Sequence, residues 1–185
     1  MFPELPVFPL HAVLFPGGEL PLRIFELRYR RLVDECGKDK PFVIVRIREG
    51  REAGEPAFTY DIGSRAYLTQ MVSQRDGTLG VLVHAEDRVR LQDFRIDPDG
   101  LMMARAVPLP AERWVPVPAD LQPLADALDE QGLAAPDAGL LAWRLAESLP
   151  LDLDVRQSLL EENDPERRLA EVRQWLLRHP GWFTA

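Results

Sequence analysis

Three histidines, one cysteine, four serines and two lysines are the side chains from which this 185-residue sequence would build a nucleophile or a metal site. His11, His84 and His179 lie far apart, in an N-terminal segment, a strand end and a helix end. Zinc takes three or four ligands, often at short local spacing, and these histidines have none. Cys36 falls on the apolar face of a helix, where a thiol acts as a small buried side chain rather than a nucleophile. Ser64, Ser73, Ser148 and Ser158 have no lysine beside them, because Lys38 and Lys40 stand together at a helix end. Adjacent acids occur at Glu86-Asp87, Glu161-Glu162 and Asp97/Asp99. General acid–base work needs carboxylates that converge in a cleft with separated pKa values, whereas these sit in turns and on polar helix faces. No catalytic residue, metal or cofactor is expected.

Binding offers more. Arg88 and Arg90 are two apart in a strand and so share a face. Arg28, Arg30 and Arg31 cluster on the first helix. Such a basic face would suit RNA, or it is a solvated face with local salt bridges. Phe2, Phe8 and Phe15 crowd the first sixteen residues. Exposed apolar groups mark sites for other chains, and an open sheet edge can add an extended peptide as a further strand. The alternative is that these aromatics pack the core.

Positioning any such surface needs a core, and the chain is long enough to bury one. Its 46% hydrophobic and 28% charged residues are ordinary for a globular protein. The single cysteine excludes a disulfide within the chain and suits a reducing compartment. No signal-peptide pattern opens the sequence, and no apolar run approaches a membrane span. A cytoplasmic protein is expected. The net charge of −8 is uneven: residues 1–116 hold 16 cations and 17 acids, and residues 117–185 hold 6 and 13. The acidic second part is a poor partner for nucleic acid, which needs positive surface.

Leu5 to Phe15 reads as extended, because its prolines forbid a regular helix. Pro21 suits a helix start, and Phe25, Tyr29, Leu32, Val33 and Cys36 mark one helix face, with Gly37 placed to cap its end. Strands follow at Phe42–Val45, Ile62–Val72, Thr78–His84, Arg88–Gln92 and Leu101–Val107, and Asp76-Gly77 is a strong hairpin signal. Gly63 marks a bulge or a close approach. Four prolines in residues 108–118 break both helix and sheet and mark a boundary. Beyond it Leu121–Leu128 and Leu140–Leu149 repeat at helical spacing. Asp154 is placed to cap a third helix and Asp164 a fourth, with Pro165 at its first position.

The ordered set of residues resembles the N-terminal domain of Lon, the ATP-dependent protease La. Its parts are Phe8-Pro9-Leu10, Leu14-Phe15-Pro16-Gly17 and Leu20-Pro21-Leu22, running into Ile24-Phe25-Glu26 and Arg28-Tyr29. The likeness continues through Ile62-Gly63 with Ala66, the Asp76-Gly77 hairpin and the Arg88/Arg90 strand. It returns at Leu149-Pro150, Leu160-Glu161 and Asp164-Pro165 with Arg168-Leu169. The resemblance implies an α+β protein: an N-terminal PUA-like β pseudo-barrel with one helix, over residues 1–116, then a C-terminal helical bundle over 117–185. It also implies a part in recognising substrate polypeptide. No GxxxxGK[ST] phosphate loop is present, and the peptidase part of Lon has no counterpart in the sequence. The expectation is therefore a stand-alone, non-enzymatic domain that binds unfolded or exposed polypeptide segments, or a partner protein, on the surface between barrel and helices. An RNA-binding PUA-like module, a small-molecule enzyme with its site at the domain junction, and an adaptor docking on a protease or chaperone are the alternatives. Phe15 as a loop aromatic, Arg23 as a cation at the helix entry and Trp114 as a linker aromatic are the candidate partner-binding residues.

Overall fold

Alternation along the first strand sets the plan of the N-terminal unit. In β1 (Glu4–Leu10), Leu5 and Val7 enter one apolar cluster, and Phe8 and Leu10 enter another. β3 (Phe42–Glu49) divides in the same way, Phe42 and Ile44 against Val43 and Val45. Both faces are covered, which is why the sequence there reads as a continuous apolar run.

The computed structural model describes residues 2–54 and 57–183. They belong to two compact units, Met1–Leu109 and Pro110–Ala185. In the first unit β2 (Glu19–Ile24) precedes α1 (Leu27–Cys36), and β3 is followed by β4 (Phe58–Thr59), β5 (Ile62–Ser73), β6 (Leu79–Ile96) and β7 (Met102–Pro108). The strands run in the order β1-β7-β6-β5-β3-β4, and β1 also pairs with β3 in parallel. That pairing closes a ring of five strands. It is not a clean barrel, because β6 is 18 residues long and runs past the ring to carry β2 on one side and the end of β5 on the other.

Two sequence expectations change here. Pro21 does not start a helix; it lies in β2 opposite Leu82. A proline is tolerated because β2 is an edge strand, with β6 on one side only. Helix α1 begins later, at Leu27, and leaves Phe25 outside it and exposed. The segments read as two strands at Thr78–His84 and Arg88–Gln92 are one strand, β6. Ala66 pairs with Ala85 and Arg65 with Asp87, so Glu86 is the extra residue of a bulge rather than part of a turn.

Gly63 is a close approach: a Cβ there would stand 2.4 Å from the Ile44 carbonyl oxygen. The buried Ser64 hydroxyl donates to the Leu14 carbonyl at 2.5 Å. Gly17, at φ 76°, turns the chain so that its N–H donates to the Ala85 carbonyl. These bonds fold the Val13–Phe15 stretch inward.

The second unit holds α2 (Gln122–Glu130), α3 (Ala138–Ser148), α4 (Leu153–Glu161) and α5 (Pro165–Arg178), with short 3-10 turns at Ala119–Leu121 and Pro180–Phe183. The protein is thus mostly strands with five α-helices among the described residues. A regular bundle is not established, although α3 packs along α5. Asp164 caps α5, its carboxylate accepting the Glu166 N–H at 3.0 Å, and Pro165 takes the first turn. Asp154 does not cap α4; Asp152 holds the cap position and Asp154 lies in the first turn.

Candidate functional site

Two of the groups that could do covalent chemistry, Cys36 and Ser64, are buried, while Ser73, Ser158, Lys38 and Lys40 are exposed. Cys36 lies against the core, and burial pushes its thiol up to about 11, which suppresses the thiolate needed for attack. Ser64 is spent on Leu14. Among the described residues no three His, Cys, Asp or Glu side chains come close enough to hold a metal ion. Arg88 and Arg90 do not make an exposed pair: Arg88 is 5% exposed, opposite the buried Ser64, while Arg90 is exposed opposite Ile62. Phe8 is likewise buried, its ring tilted against Tyr29 at 4.1 Å between ring centroids, and Phe2 is exposed.

The three candidate binding residues part company. Phe15 is 1% exposed, drawn into the interior by the Gly17 turn, so its ring faces the core rather than a partner. Arg23 is exposed, but it sits in β2 rather than at the helix entry and pairs with Asp76 and Thr78 at the β5–β6 hairpin tip. Trp114 is 68% exposed in the connector of the second unit.

Around Arg23 a surface takes shape that sequence reasoning did not single out. β3 pairs with β5 only as far as Ala66, opposite Phe42. From Tyr67 to Ser73, β5 pairs with β6 alone among the described residues, which leaves its other edge without a strand. Met71 and Val72 near its end are 55% and 59% exposed. Leu22, Val81 and Met71 stand in one row across β2, β6 and β5. Arg23, Gly80 and Val72 form the next row, whose side chains point to the opposite face. The hairpin tip beyond them gathers Arg23, Arg75 and Arg30, the last donating to the Gly77 carbonyl. Asp76 is held below its ordinary pKa by the side chain and backbone N–H of Thr78, and by Arg23. The run from Ala66 to Gln74 has no charge and no proline, and that was the legible signal.

The second unit offers an apolar groove of about 380 Å³. One wall is the connector Val115-Pro116-Val117-Pro118 with Leu121; the other is Ala138 of α3 with Leu169 and Ala170 of α5. The connector is fixed in place. The Ala138 N–H donates to the Val115 carbonyl at 2.8 Å, and the Arg168 guanidinium forks onto Glu112 at 2.9 and 2.6 Å. The charged groups of the lining are Glu166, bound by Arg113, and Arg173, bound by Asp120, each at 2.6 Å. Sequence reasoning took these prolines for a boundary only. Their second role, a stiff wall with no N–H to satisfy, needs α3 and α5 opposite.

Comparison with known proteins gives the family and the fold. The family model for the ATP-dependent protease La (LON) substrate-binding domain matches residues 4–131. The Lon protease of Koribacter versatilis is 28% identical over 196 residues, covering 94% of this chain and 24% of that protein. Lon protease 2 of Herpetosiphon aurantiacus is 31% identical over 190 residues, covering 91% and 23%. The chain therefore spans about a quarter of the length of these curated relatives. Among solved structures, a Lon N-terminal domain protein from Xanthomonas campestris superposes with a TM-score of 0.79 at 33% identity, over 94% of this chain and 98% of that one. The N-terminal domain of Mycobacterium avium complex Lon protease shares the fold, with a TM-score of 0.70 at 17% identity over 96% and 100%.

Proposed function

The chain belongs to the ATP-dependent protease La (LON) substrate-binding domain family, and from that premise we propose that it recognises polypeptide by non-covalent contact and catalyses no reaction itself. The observation that carries this reading is the preformed apolar groove of the second unit. Its lining is mostly valine, proline, leucine and alanine, and its charged members are already paired, Glu166 with Arg113 and Arg173 with Asp120. A groove of this kind rewards burial of apolar side chains, at roughly 25 cal/mol per Å² removed from water. It makes no demand for a particular charge in its occupant. That suits exposed apolar segments of unfolded chains.

The two-part organisation, with its junction in prolines 108–118, belongs to the same proposal, as does action in the cytoplasm without a cofactor. Among the described residues no helix is long and apolar enough to cross a membrane. A peptide array probed with the wild type and with Leu169→Glu tests the reading. Leu169 is 4% exposed in the α5 wall of the groove, so the exposed Ala170, on the same helix, gives a second variant in Ala170→Glu. Apolar spots that hold the wild type and release both variants support the groove. Spots that hold all three equally remove it.

A further inference from the structure

We propose that the free edge of β5, from Tyr67 to Ser73, takes up an extended, largely apolar peptide segment as an added strand, with acidic residues flanking that segment at one end and lying against the hairpin tip. The inference rests on the reading that this chain binds polypeptide, and it adds a place and a chemistry to it.

Three observations converge. The first is the edge itself. β5 continues past the last residue that β3 covers, and half of its backbone N–H and C=O groups there point away from β6. Seven residues of free edge span about 23 Å, the length of an ordinary strand. Natural edges are normally blunted by lysine, proline, an inward charge or a bulge. The stretch Ala66–Gln74 has no charge and no proline, and its one irregularity is the bulge at Thr69, where pairing with β6 shifts between Leu68 and Gln70.

The second is the side-chain pattern. Met71 lies across β6 from Val81, which is itself 5% exposed. An apolar side chain of an added strand would extend that row beyond Met71 and shield a methionine that now faces water. Val72 offers the same on the opposite face. Alternate residues of the peptide would thus meet Met71 and Val72 in turn, backbone bonds giving affinity and side chains giving preference.

The third is charge. The tip holds three guanidiniums, Arg23, Arg30 and Arg75, against one carboxylate, Asp76. An acidic residue at one end of the peptide would be drawn to it. A second copy of this chain fits less well. In a two-fold pairing centred on Gln70, the partner copy's hairpin would begin opposite Ala66, where Phe42 of β3 already stands. A lone strand has no such overhang.

The probes are a carboxymethylated, unfolded reference protein and a labelled dodecapeptide of alternating apolar and uncharged residues ending in two aspartates. Two further versions of the peptide are N-methylated, one at odd and one at even positions. Strand addition predicts that one methylated version loses at least tenfold in affinity, because its inward N–H groups are gone, and that the other binds like the parent. It predicts further that Arg75→Glu weakens the aspartate peptide about tenfold and leaves a neutral version unchanged. Equal binding of both methylated versions, with the unfolded protein still retained, overturns the edge and leaves the reading of polypeptide recognition standing. No retention of the unfolded protein overturns both. Sedimentation showing a dimer that the peptide cannot compete away assigns the edge to a second copy and overturns the proposal.

Discussion

Arg168 of α5 is completely buried, and its guanidinium forks onto both oxygens of Glu112 in the connector, at 2.9 and 2.6 Å. The same guanidinium lies 3.4 Å from the ring centroid of Trp143 on α3 and donates to the Glu162 carbonyl at 2.8 Å. One side chain thus ties the connector, α3 and the start of α5 together, and with them both walls of the groove. Gly139 makes room for it, since a Cβ there would stand 2.9 Å from the Glu112 carboxylate.

Removing one partner of this pair leaves the other charge uncompensated. Arg168→Met and Glu112→Gln are each expected to destabilise the second unit, Glu112→Gln by about 3–5 kcal/mol, because it strands the fully buried Arg168 charge, and Arg168→Met by less on this account, because the Glu112 carboxylate it leaves keeps some contact with water. Urea titration followed by tryptophan fluorescence measures both. Midpoints equal to wild type would show that the pair holds nothing together.

Gly63→Ala places a methyl group 2.4 Å from the Ile44 oxygen and 3.0 Å from the Val45 Cβ. β3 and β5 must part to admit it, at a cost of about 1–3 kcal/mol. The thermal midpoint of the purified variant should fall by several degrees. An unchanged midpoint would mean that the ring yields freely at this point.

The Cys36 thiol, pushed up to about 11 by burial, should resist alkylation by iodoacetamide at pH 8 in the native protein. In guanidinium it should react at the rate of an unstructured peptide. Native labelling at that same rate would contradict the burial of the α1 face that carries Tyr29, Leu32 and Cys36.

Acid should destabilise the protein in a definite window. The carboxyls of Asp164 and Asp99 are held below their ordinary value of 3.8, mainly by the backbone N–H groups of Glu166 and Leu101 and then by Arg113 and Arg31. The unfolded chain therefore binds more protons than the folded one between the two values. Stability from these groups is fully present above 3.8 and is lost as pH falls through the lower, folded values. Glu147 runs the other way. Burial raises its carboxyl above 4.5, so its contribution is present below that value and fades as pH rises through the folded one. Denaturation midpoints measured from pH 6 down to pH 2 should drop most steeply below 4 in the wild type and less in Asp164→Asn. Equal slopes would contradict the Asp164 assignment.

Much was legible because it is local. The Asp76-Gly77 turn, the Gly37 cap at φ 52°, the Asp164-Pro165 helix start and the buried run Phe42–Val45 each follow from a few neighbouring residues. The ordered motifs from Phe8 to Leu169 carried the family. The errors are of one kind. Pro21 was read for its own preference, but β6 recruits it into a strand. Glu86 was read as part of a turn between two strands, but β5 converts it into a bulge. Phe15 was read as a loop aromatic available to partners, yet the Gly17–Ala85 bond folds it into the core.

The sequence by itself determined the periodicities, caps and turns, the acidity of the second part and the membership of a family, since these depend on residue type and short spacing. Only the tertiary structure decided which surfaces are free. A strand edge is open or closed according to where its neighbour stops, and a groove exists only when two distant segments stand opposite. The edge left beyond Ala66 and the wall built from Val115–Pro118 are both of that kind. No local preference encodes them, because each is fixed by contacts between residues far apart along the chain.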